Sequence, residues 1–152
     1  MFRDEQIAAI VGAGALALIL GALGFQYLAH LPPCEMCHWQ RWPHIAAAII
    51  GLALVPFLRT HARVLAWATV VLVVVSGLIG AYQTGIQHGL FPLPPCSVAH
   101  AYVMGSGAAP PEVSCSAVTW SLFGLSLATY NVIFSFVIAA TGALLLSRKH
   151  AA

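Results

Sequence analysis

Residues 30–58 read HLPPCEMCHWQRWPHIAAAIIGLALVPFL, and whether they form a membrane-crossing helix decides the fold. On either side the reading is plain. Residues 7–28 carry one amide, Gln26, and no charge, residues 64–86 are rich in Val, Leu and Ile, and residues 123–146 are apolar apart from Ser, Thr and Asn131. The clean apolar run Ile45–Leu58 is shorter than the roughly 20 residues a spanning helix needs. A second span must therefore begin near Trp39 and occupy residues 39–58. Pro43 then falls in its first turn or two, where a missing N–H costs little. With this helix the chain crosses four times and both ends share a face.

Composition requires that reading. The chain has 152 residues, 61% hydrophobic and only 7% charged, with a mean hydropathy of +0.91. Soluble domains carry roughly 25% charged residues, so too few charges exist here to coat a surface in water. The net charge of +2 is too small and scattered to attract nucleic acid. The first apolar segment exceeds the usual signal-peptide core of about 7–15 residues, and its one upstream arginine is balanced by Asp4 and Glu5. It is expected to be a retained helix. The expected fold is all-α: one integral membrane domain over residues 1–152, built as a four-helix bundle of 7–28, 39–58, 64–86 and 123–146.

Basic residues set the orientation. Arg3, Arg59, Arg63, Arg148 and Lys149 fall on one face, with Arg41 alone on the other. The positive-inside rule makes the first face cytoplasmic, with both termini. Outer loops of about 29–38 and 87–122 then carry all four cysteines. Trp39, Trp42 and Trp120 fall near the outer interface, where indoles are favoured. In a bacterium that face is the periplasm, where disulfides persist.

The cysteines form two pairs, Cys34/Cys37 and Cys96/Cys115. A C-x-x-C pair closes and opens a disulfide with little backbone movement, and its thiol pKa is commonly lowered. Lying where the second helix starts, it also meets the positive end of the helix dipole. Arg41 lies one turn after Cys37 on the same face, making Cys37 the better candidate for a stabilised thiolate. Three other readings compete. His30, His38 and His44 flank the pair, but a structural zinc site needs a second ligand knuckle that Cys96 and Cys115 do not provide. Cys34-x-x-Cys37-His38 matches the c-type haem attachment motif, which leaves the second pair without a role. Two purely structural disulfides would suit Cys96/Cys115, whose loop closure contributes about 3 kcal/mol. They leave a C-x-x-C beside an intramembrane arginine unexplained. A charge at the hydrocarbon boundary is by default functional, set against a snorkelling contact with lipid phosphate. Arg41 is suited to the carbonyl oxygen of a planar, membrane-dissolved, two-electron acceptor, which describes a quinone.

Together these residues resemble the disulfide-bond formation protein B (DsbB) family. The resemblance rests on Cys34-x-x-Cys37-x-x-Gln40-Arg41, on Pro95-Cys96, and on Cys115-x4-Trp120-x2-Phe123-Gly124-Leu125-Ser126, and it covers nearly the whole chain. It implies a quinone-dependent thiol oxidoreductase of the bacterial inner membrane. A reduced DsbA-like oxidant of the periplasm would attack Cys96 in a Cys96–Cys115 disulfide. Electrons would pass to Cys34–Cys37, and Cys37 would donate to ubiquinone or menaquinone from the membrane pool near Arg41. His88 resembles a histidine that the family places near the quinone, against its reading as an ordinary interfacial histidine. Gln40 is expected only to shape the helix start. The alternatives are a membrane haem-c electron carrier and a DsbB-like oxidase for a different thiol partner.

Overall fold

The computed structural model describes residues 3–92 and 114–148. Helix α1 (Asp4–Tyr27) opens on a capping box in which the Arg3 amide donates to Gln6 Oε1 at 2.9 Å. Helix α2 (Glu35–Ala48) runs without a break into a π-helical segment, Ile49–Leu54, and a last turn, α3 (Val55–Phe57). A 3-10 turn, Arg59–His61, leads into α4 (Ala62–Gln87), and the chain closes with α5 (Leu127–Arg148). Among the described residues three helices are long and apolar enough to cross a membrane: Asp4–Tyr27, Arg59–Gln87 and Leu127–Arg148. The α2–α3 rod lies alongside them. The protein is an all-α, multi-pass membrane protein.

Two of the boundaries that differ from expectation bear on the site. The second helix starts at Glu35, four residues before Trp39, because Cys34 caps it: the Cys37 amide donates to Cys34 Sγ at 3.3 Å. Pro43 consequently sits just past two turns into the helix. It takes from the ladder the donor to the Trp39 carbonyl, and Ser76 of α4 donates to the next carbonyl, that of Gln40, at 2.8 Å. The last helix starts at Leu127 rather than Phe123. Residues before it form a small hairpin, β1 (Ser121–Leu122) paired antiparallel with β2 (Leu125–Ser126). Phe123 (φ 51°) and Gly124 (φ 77°) make its turn, the two-residue geometry with both φ positive.

The π segment has an identifiable origin. Pro56 has no N–H to offer the preceding turn, and the Val55 amide reaches back five residues to the Ile50 carbonyl. The widened turn packs Gly51 against α1, its Cα about as close to Gly12 as helices approach. A Cβ on Gly51 would lie 3.1 Å from the Gly12 Cα and collide with the Ala8 carbonyl oxygen. Small residues at such crossings let membrane helices pack where lipid removes the hydrophobic drive.

The two ends of the bundle differ. Glu5 lies 3.9 Å from Arg59, and Ile7, Val11, Val55, Val73 and Leu146 form one dry, fully buried core there. Polar side chains gather instead at the cysteine end. Leu20, Val71, Leu78, Val137 and Leu144 point outward and are exposed, as lipid-facing residues are.

Candidate functional site

Cys34 and Cys37 are free thiols whose sulfurs face one another at 2.6 Å. The helix start brings them together: Cys34 is the cap and Cys37 lies in the first turn, where backbone N–H groups point at sulfur. The Cys37 thiol is lowered from 9.0 to about 6, first by the hydrogen bond from Cys34 and further by the capping geometry, Gln83 and the charge of Arg41. Cys34 moves the opposite way, raised by holding the shared hydrogen and by burial. One thiolate and one thiol result, which is the poise thiol–disulfide exchange uses.

Cys115 is disulfide-bonded and fully buried, and it packs with Cys34, Met36 and Ile86 in one cluster, with Cys37 against it. The two cysteine-bearing segments thus meet at one end of the bundle. Cys96 lies outside the described residues.

Beside the dithiol lies a cavity of about 380 Å³, lined by apolar residues of α1, α5 and the segments that precede α2 and α5, with polar side chains supplied by α2 and α4. Both sulfur-bearing residues line it, as does Arg41. The Arg41 guanidinium is held by a 2.6 Å hydrogen bond from Nη1 to Gln26 Oε1 on α1, which aims the charge along the wall rather than out to the headgroups. Trp120 also lines the cavity and packs on Phe25, with ring centroids 4.8 Å apart. His88 stands elsewhere: it caps the C-terminus of α4, is exposed, and is not among the lining residues.

A buried polar chain links the thiols to the membrane interior. Gln83 Nε2 donates to Cys34 Sγ at 3.1 Å, and its Oε1 accepts from Gln40 Nε2. Gln40 Oε1 accepts from Asn131 Nδ2 at 2.8 Å, and Asn131 Oδ1 lies 3.0 Å from His44 Nε2. Ser76 and Ser135 complete it. The sequence reading gave Gln40 only a local role, yet it joins α2 to α4 and α5. A signal was present: Gln40/His44, Ser76/Gln83 and Asn131/Ser135 are each spaced to share a helix face, and polar groups inside a membrane face the bundle interior.

The chain was compared with known proteins. The family model for disulfide bond formation protein DsbB matches residues 4–145. Among relatives, the disulfide bond formation protein B of Dechloromonas aromatica (strain RCB) is 32% identical over 93% of this chain and 91% of its own. Those of Aromatoleum aromaticum, 31% identical over 90% of each chain, and of Azoarcus sp. (strain BH72), 32% identical over 81% of this chain and 80% of its own, are similar. No solved structure matches the chain.

Proposed function

The chain belongs to the disulfide bond formation protein DsbB family, and from that membership, which makes it a membrane thiol oxidoreductase of disulfide bond formation, we propose a quinone-dependent relay. A periplasmic DsbA-like dithiol gives two electrons to a Cys96–Cys115 disulfide. That pair reduces Cys34–Cys37, and the resulting dithiol reduces ubiquinone or menaquinone in the cavity. The active face is the periplasmic side of the inner membrane. The observation that carries this reading is the shared wall: the Cys34/Cys37 dithiol and the Arg41 guanidinium line the same apolar cavity within the bundle.

The residues fit such an acceptor. The cavity is large enough for a substituted ring and apolar enough to favour a lipid-soluble one. Arg41 offers only N–H donors, the partner a ring carbonyl needs as charge develops on it. The Cys37 thiolate attacks, and closing the Cys34–Cys37 bond releases two electrons and the Cys34 proton, the acceptor's second proton coming from water. The facing sulfurs also argue against the haem alternative, which needs each cysteine bonded to a separate vinyl group. His88, exposed at the end of α4, has no part in holding the acceptor in this reading.

Replacing Cys37 tests the order. With a reduced DsbA-like donor, Cys37→Ser should lose quinone reduction while still trapping a mixed disulfide at Cys96. Full quinone reduction by that variant overturns the relay.

A further inference from the structure

His44 is almost fully buried at 3% exposure and lines the cavity. Its Nε2 is engaged by Asn131 and Ser135, while its Nδ1 is buried without a hydrogen-bond partner among the described residues. Such an atom carries an unmet desolvation cost until something pairs with it. The neighbouring amides fix which nitrogen carries the proton. Gln40 Nε2 lies 3.3 Å from the Met36 carbonyl, which can only accept, so Nε2 must face it. Gln40 Oε1 is therefore the acceptor for Asn131 Nδ2, and Asn131 presents Oδ1 to the imidazole. His44 donates from Nε2, and Nδ1 is left as a bare lone pair.

A bare lone pair cannot hold a carbonyl oxygen, but it can hold a hydroxyl. Resting on the reading of the cavity as the acceptor site, we propose that His44 Nδ1 is a second anchor, one that recognises the reduced, hydroxyl-bearing form of the ring. The step balances: the Cys37 thiolate and the Cys34 thiol form the Cys34–Cys37 S–S bond, and two electrons, the Cys34 proton and one proton from water, the equivalent of the one Cys37 gave up on ionising, turn a ring dione into a diol. Arg41 meets the oxidised oxygen and His44 accepts a hydrogen bond from the hydroxyl, so the cavity favours product formation on the protein. The two residues lie three positions apart on α2 and share its cavity face.

Anaerobic calorimetric titration of the full chain carrying Cys37→Ser, which blocks turnover, with decylubiquinone and with decylubiquinol tests this. Adding His44→Gln keeps an amide able to donate to Asn131 and removes Nδ1. It should weaken decylubiquinol about tenfold, one hydrogen bond's worth, and change decylubiquinone less than twofold. Equal losses, or none, overturn the proposal. Asn131→Leu offers a second arm that does not touch His44. Without the acceptor that holds the proton on Nε2, Ser135 can donate there and free an Nδ1–H donor, so preference should swing toward decylubiquinone; an unchanged preference refutes the assignment. If the Cys37→Ser chain binds neither form, the acceptor-site reading fails and takes this inference with it, a result distinct from equal weakening.

Discussion

In the proposed relay Cys37 and Arg41 divide the labour of the site between electrons and charge. Because the folded Cys37 thiol is lowered to about 6 from 9.0, its alkylation rate in the reduced protein should reach half-maximum near that pH. Cys34→Ser replaces the thiol behind the largest contribution by a different hydrogen-bonding group and should move the midpoint; an unmoved midpoint would assign the shift to the helix start alone. The sign for stability follows. A lowered folded-state pKa stabilises the thiolate protein fully above the unfolded value, and that contribution is lost as pH falls through about 6. The melting midpoint of the reduced protein should therefore rise from pH 6 to 9. Arg41→Ala removes a charge-assisted donor, typically about 1.5–3 kcal/mol, and should raise the apparent KM for quinone about tenfold or more. An unchanged KM would return Arg41 to the role of lipid anchor.

At the scale of elements, the second rod and the hairpin are where local chemistry overrode pattern. The length and composition of the apolar runs located the four apolar segments. They could not show that a cysteine would cap α2, because sulfur is not a usual capping acceptor, and the helix starts at Glu35 for that reason. Nor could they show the Ser121–Ser126 hairpin, because Phe is a poor residue for positive φ and hid the turn. The cysteines and Arg41 were legible from spacing, whereas the Gln83–Gln40–Asn131–His44 chain depends on how α2, α4 and α5 rotate against each other. Two outcomes test the element readings. Phe123→Asn creates an Asn-Gly turn suited to both positive φ values and should raise the melting midpoint, relieving about 1 kcal/mol of backbone strain; a lower midpoint would give the exposed Phe123 ring a contact role. Gly51→Ala forces a Cβ into the Ala8 carbonyl and should cost about 1–3 kcal/mol, read as a lower midpoint with Cys37 reactivity retained.

For the molecule as a whole, the proposed relay keeps all the chemistry on one face. A membrane-impermeant maleimide added to intact spheroplasts after reduction should label Cys37, and should not label a cysteine introduced in place of Arg59. Reversed labelling would invert the orientation. The contrast between the dry core around Ile7, Val55 and Leu146 and the polar chain around Gln40 and Asn131 carries a further consequence. Thiols, cavity, Arg41 and His44 gather at the cysteine end, and among the described residues the core side chains that lead to the other end are apolar. Dithiol oxidation therefore displaces almost no charge along the bilayer normal. A full elementary charge moved across 100 mV would be worth about 2.3 kcal/mol; here turnover in sealed vesicles should hardly respond to an imposed voltage, leaving the protein electrically silent in an energised membrane.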